Sequence, residues 1–161
     1  MLFKTTWLSA VAAICVLSGA ASAASPLPVR PYLNLAAAQH IAQAAQDKAQ
    51  ASGWPCVIAV VDEAGAPLVL IRMDNAAVPA GVELAPGKAR TAALFHRPSS
   101  DLETAINGKR PAAATARGFI MMAGGLPIQT DGHFVGGIGV SSDTPAHDEV
   151  IAQAGVDAFN P

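Results

Sequence analysis

The chain has 161 residues, of which 52% are hydrophobic, 14% charged and 5% aromatic, and its formal net charge is −2. One folded domain is the natural count at this length, and disorder is excluded because so much apolar surface needs burial. The near-balanced charge predicts no nucleic-acid partner, and two Cys with four His exclude a Cys-rich zinc module or a disulfide framework.

In chain order, residues 1–23 read as a secretory signal. Lys4 supplies the positive start, an apolar run from Trp7 to Leu17 is broken only by Ser9, and Ala21-Ser22-Ala23 offers small residues at a cleavage site. A membrane anchor needs roughly 20 continuous apolar residues, more than this run holds. A periplasmic or secreted protein with no stable membrane insertion after cleavage is therefore expected. Cleavage removes Cys15 and leaves Cys56 alone, so no internal disulfide is available. Cys56 opens an apolar run and reads as a buried, inert thiol, with an intersubunit bridge as the alternative.

Residues 24–32 are Pro-rich and read as an extended arm, followed by a domain over 33–161. Asn34 is a good N-cap for a helix that runs to Ser52 and stops at Gly53. Leu35, Ala38, Ile41, Ala42, Ala45 and Ala49 share its apolar face, and His40, Gln43, Asp47 and Gln50 its polar one. Residues 56–62 and 67–72 read as an antiparallel hairpin turning at Asp62-Glu63-Ala64-Gly65. A helix is expected over 86–95 with Pro86 in its first turn, then a short helix over 100–106 and a surface loop over 107–117. Residues 119–122 form a short apolar run that is a candidate strand. Two strands over 126–130 and 133–141 follow, joined by Asp131-Gly132, and Thr144 caps a last helix that starts at Pro145. This order predicts an α+β fold with an antiparallel sheet rather than a parallel doubly wound one.

Gly136-Gly137-Ile138-Gly139 lies inside an apolar strand, whereas a dinucleotide fingerprint lies in a strand-to-helix turn. These glycines instead permit close approach of another backbone or a flat ligand. Ser141 and Ser142 lack the nucleophile-elbow pattern and read as a strand-to-helix connection. Among the histidines, His40 lies on the polar helix face, and His133 follows a tight turn. The dipole at a helix end favours protonated His96 and neutral His147. A neutral imidazole is a good ligand for haem iron. Asp148 and Glu149 are weak candidates for surface iron, and Arg72, Lys88 and Arg90 are cations able to meet porphyrin propionates.

Several segments in collinear order resemble the GlcG/HbpS-like family. They are Val60-Val61-Asp62-Glu63-Ala64-Gly65, Arg72-Met73-Asp74, Gly87-Lys88-Ala89-Arg90-Thr91-Ala92, Gly124-Gly125-Leu126-Pro127-Ile128, the stretch from Asp131 to Ser141, and Asp148-Glu149 with Ala154-Gly155. The resemblance implies a profilin-like fold with a five-stranded antiparallel sheet and helices on its faces. It also implies homo-oligomers with haem-binding or corrinoid-associated roles. The chain departs from the family where Ser142 replaces a frequent Gly and His147 a frequent Gln.

The expectation is therefore an exported protein that binds haem or a related tetrapyrrole, with free iron or a corrinoid less favoured. His40 is the first candidate for the iron ligand and His147 the second, with Arg72 and Lys88 near the propionates. Haem degradation is not assigned, since no acid–base pair is placed by the sequence. The rivals are a small-molecule metabolic enzyme using a pocket around Lys88, a corrinoid-associated accessory protein, and a non-catalytic oligomeric regulatory partner.

Overall fold

Local signals close the first helix at both ends. The Asn34 side chain accepts the Ala37 N–H at 2.8 Å, and Gly53 ends the helix in the left-handed conformation at φ 71°. Between them runs α1 (Leu35–Ser52). In the computed structural model, which describes residues 27–159, the order continues as β1 (Val57–Asp62), β2 (Pro67–Arg72), α2 (Gly81–Phe95) and α3 (Ser99–Asn107). A 3-10 turn (Pro111–Thr115), β3 (Gly125–Thr130), β4 (His133–Ser141) and α4 (Pro145–Phe159) complete it. The expected signal over 1–23 lies outside the described residues. Residues 27–32 are exposed and belong to no helix or strand. No helix among the described residues is long and apolar enough to cross a membrane.

The sheet is antiparallel with strand order β2-β1-β4-β3. Its two hairpins have different turn chemistry. At the first, one Asp62 carboxylate oxygen accepts the Ala64 and Ala66 N–H groups, and Gly65 takes φ 77°. At the second, Asp131 and Gly132 both have positive φ, as the tightest hairpin turns require.

Strand alternation gives each face its own cover. Ile58, Val60, Ile138 and Val140 point to the face where α1 and α4 pack, and all four are fully buried. Each such side chain contributes roughly 1.5–3 kcal/mol when taken out of water. Val57, Ala59 and Val61 point to the other face and meet Ala85, Ala89 and Ala93 of α2. There α2 lies directly on β4, because a Cβ at Gly139 would fall 2.1 Å from the Ala85 carbonyl oxygen and one at Gly137 2.5 Å from that of Ala89. The glycines of β4 thus admit a helix backbone.

Three expectations are corrected. The sheet has four strands, not five. Residues 119–122 are irregular, and Ile120 gives its backbone hydrogen-bonding groups to a side chain. Its N–H donates to the Thr91 hydroxyl oxygen, and its carbonyl accepts from that hydroxyl, both at 3.0 Å. Helix α2 begins at Gly81, which puts Pro86 inside it rather than in its first turn. The missing Pro86 N–H forfeits one bond to the Val82 carbonyl. Burial of Gly81 and Ala85 against the sheet holds that first turn regardless. The expected loop over 107–117 contains the 3-10 turn.

Candidate functional site

Chemistry-bearing side chains gather at the end of the sheet where β1 begins and β2 and β4 finish. Helix α4 starts there, with Thr144 as its cap: its hydroxyl oxygen accepts the His147 N–H at 3.3 Å. Successive positions around this first turn face in different directions. His147 looks outward and Asp148 inward.

His147 is held from two sides. Its ring stacks on Trp54, with centroids 3.7 Å apart and planes 9° from parallel. Its Nδ1 lies 2.7 Å from a carboxylate oxygen of Asp143. A carboxylate only accepts, so Nδ1 carries the hydrogen of this bond, and in the neutral ring the lone pair is then on Nε2. The bond from His147 holds the Asp143 carboxyl below its ordinary pKa of 3.8. Carboxylates orient metal-binding imidazoles in this way. Arg72 ends β2 at the same end of the sheet, exposed and without a partner among the described residues.

Asp148 is 4% exposed and Lys88, from α2 on the opposite sheet face, is 2% exposed. They meet past the Val140 end of β4. Lys88 Nζ donates to an Asp148 oxygen at 2.6 Å and to the Val140 carbonyl at 3.0 Å. The second Asp148 oxygen accepts the Ser142 N–H at 2.5 Å and the Ser142 hydroxyl at 2.6 Å. Gly124 and Gly125 open the room for this meeting. A Cβ on Gly124 would fall 2.5 Å from Asp148 Cβ, and one on Gly125 2.3 Å from the Lys88 carbonyl oxygen.

This placement corrects two expectations. Lys88 is enclosed against a carboxylate of its own chain and does not stand ready for a propionate. Asp148 is buried with both oxygens engaged, so it offers nothing to iron at the surface. Glu149 points elsewhere, into a surface depression shared with Pro98, Leu126 and Gln153. No group of three or more His, Cys, Asp or Glu among the described residues could hold a metal ion.

The sequence candidates therefore form no single site. Arg72, Lys88, His147 and Asp148 share one end of the fold. His40 is exposed on α1, twelve residues before Ser52, which is about 18 Å of helix away. His96 stacks on Phe134 at 4.0 Å, and His133 Nδ1 lies 3.0 Å from the Asp131 carbonyl oxygen. Arg90 sits over the Phe119 ring. Cys56 is buried 3.8 Å from the Met73 sulfur, and burial, followed by the nearby Asp148 charge, pushes its thiol pKa up to about 12. It is the inert thiol expected.

Trp54 and Asp143 escaped the sequence reading. Asp143 and His147 stand four apart, a spacing that marks neighbours on a helix face and was a usable signal. Trp54 lies in a distant segment with no local cue.

Comparison with known proteins supplies the remaining findings. The family model described as "Haem degrading protein HbpS-like" matches residues 33–157. Protein GlcG of Escherichia coli K12 is 39% identical over 115 residues, covering 71% of this chain and 85% of GlcG. The crystal structure of HbpS superposes with a TM-score of 0.78 at 35% identity, covering 85% of this chain and 96% of that one. The crystal structure of a PduOC:heme complex gives a TM-score of 0.71 at 28% identity, with 80% and 95% covered.

Proposed function

The chain belongs to the HbpS-like family, and on that premise we propose that it binds haem, with His147 as the iron ligand. The observation that carries the proposal is the tie between His147 Nδ1 and Asp143, which leaves Nε2 to coordinate. The donor set suits the group: an imidazole for iron, its ring held flat against Trp54, and Arg72 at the same sheet end for a propionate. When bound, haem supplies the redox and oxygen chemistry, while the protein orients it and sets its surroundings. His40, exposed on α1, is the alternative ligand.

The same proposal includes export, supported by the signal pattern of residues 1–23, and self-association, supported by the open edge of β2, where Leu70 is 52% exposed. Titrating the protein with hemin tests the central claim. A Soret shift is expected that weakens at least about tenfold in His147→Ala and persists in His40→Ala. Loss only in His40→Ala moves the ligand to α1. No shift in any form rejects haem.

A further inference from the structure

The end of the sheet opposite His147 carries positive charge that the haem reading does not use. Helix α2 starts beside Val57 and Ser141, against which Gly81 packs, and its fifteen residues carry its C-terminus about 22 Å from there. At that far end Phe95, Arg97, Leu102, Ala105, Arg110 and Ala113 line a slot of about 110 Å³ between α2, α3 and the 3-10 turn. A 150 Å³ cavity holds a molecule the size of benzene, so this slot suits about four or five heavy atoms and excludes a porphyrin.

Its two arginines are exposed, and neither guanidinium has a hydrogen bond, ion pair or ring contact among the described residues. No carboxylate is among the lining side chains. Of the acids on α3, Asp101 lies outside the slot, and Glu103 is engaged by the Ala123 N–H at 2.8 Å. The backbone fixes where both cations stand. Left-handed His96, at φ 54°, turns the chain off α2 just before Arg97, and the Arg110 N–H donates to the Ala105 carbonyl at 2.9 Å. Each arginine also directly precedes a proline, Pro98 or Pro111, which disfavours the helical conformation at that position.

These features narrow the ligand. Each arginine follows a helix C-terminus, whose dipole amounts to about half a negative charge. A full charge on each guanidinium exceeds that, so the slot stays positive and favours an anion over water or a neutral solute of the same shape. Phosphate and sulfate carry oxygens on every side, and Phe95, Leu102, Ala105 and Ala113 offer them no side-chain donor. A carboxylate has both oxygens on one edge, which matches a guanidinium fork and leaves its hydrocarbon for the apolar wall.

We propose that this slot binds a short-chain carboxylate, its oxygens accepting from Arg97 and Arg110 and its hydrocarbon part lying against Phe95 and Leu102. The site is separate from His147 and does not depend on haem.

The test titrates free propionate into the ¹⁵N-labelled protein at constant ionic strength, with propionamide and inorganic phosphate as parallel probes. Saturable amide shifts are expected over residues 95–97, 102–105 and 110–113. Affinity for propionate is expected to fall about tenfold in Arg97→Gln or Arg110→Gln and to vanish in the double variant and in Ala113→Phe, which fills the slot. Both arginines are exposed, so the glutamine variants are expected to melt with the parent protein. Absence of saturable shifts leaves the arginines as counter-charges to the helix ends and overturns the proposal. So does propionate binding that survives in the double variant, or propionamide or phosphate binding as tightly as propionate. Hemin titration of the double variant is expected to match the parent protein, so failure of this site is distinguishable from failure of the haem site.

Discussion

Two hydrogen-bonded pairs, each with an aspartate, meet at the head of α4 at different depths. Asp143 and His147 approach to 2.7 Å with side chains 47% and 30% exposed, whereas Lys88 and Asp148 approach to 2.6 Å at 2% and 5%. Near-equal distances conceal unequal consequences. Water and salt screen the outer pair, so it orients a ring and costs little to break. The inner pair has been stripped of water, and loss of either partner strands a charge in the interior. The outer pair faces solvent. The inner pair fastens helices on opposite faces of the sheet.

Breaking the inner pair is expected to have the largest effect. Lys88→Met leaves the Asp148 carboxylate unpaired and should lower unfolding free energy by about 3–5 kcal/mol in urea denaturation. Adding Asp148→Leu should recover much of that loss, because no buried charge then remains. A cost near zero for Lys88→Met alone would show that the two pairs are equivalent after all.

Next comes the space that admits the inner pair. Gly125→Ala places a methyl against the Lys88 carbonyl oxygen and the Ser99 hydroxyl, and overpacking of this kind costs about 1–3 kcal/mol by the same measurement. A neutral result would mean that the α2 backbone yields without cost.

A smaller effect follows from acid titration of the outer pair. The folded pKa of Asp143 is depressed, chiefly by its bond to His147, so the folded chain binds that proton less readily than the unfolded chain. The contribution is present above the ordinary carboxylate value of 3.8 and is lost as pH falls through the lower folded value. Melting temperatures followed into that range should show a decline that is shallower in His147→Ala and in high salt. Equal slopes in parent and variant would remove the bond from the account.

The smallest expected signal is a null one. With its pKa near 12, Cys56 should resist alkylation at pH 8 in the folded protein and react once urea unfolds it. Prompt labelling of the native protein would show that the neighbourhood of the inner pair opens readily.

Much of the fold was legible because its signals are short-range. Asn34 and Gly53 bracket α1, Asp131-Gly132 makes the second hairpin, and Thr144-Pro145 starts α4, each through bonds spanning a few residues. Where a local signal competed with a distant contact, the distant contact won. Residues 119–122 have strand-like composition, yet the Ile120 backbone is bonded to the Thr91 hydroxyl and the Met122 carbonyl to the Ser99 hydroxyl, both more than twenty positions away. Pro86 resembles a first-turn residue, yet packing on the sheet extends α2 ahead of it. The candidate site was legible only in part. His147 and the cations were named, but nothing in the chain order reveals that Lys88 is sealed against Asp148 or that Trp54 is the surface on which His147 rests.

Residue types and their spacing determined the α+β class, the helix ends, the hairpins and the inertness of Cys56. Those properties follow from periodicity, caps and turns, which act over about one helical turn or one hairpin. Depth was decided by tertiary structure alone. Lys88 and Asp148 are sixty positions apart, and only the stacking of α2 and α4 on opposite faces of the sheet, with Gly124 and Gly125 leaving room between them, takes both charges out of water. The same helix start leaves His147 in contact with solvent.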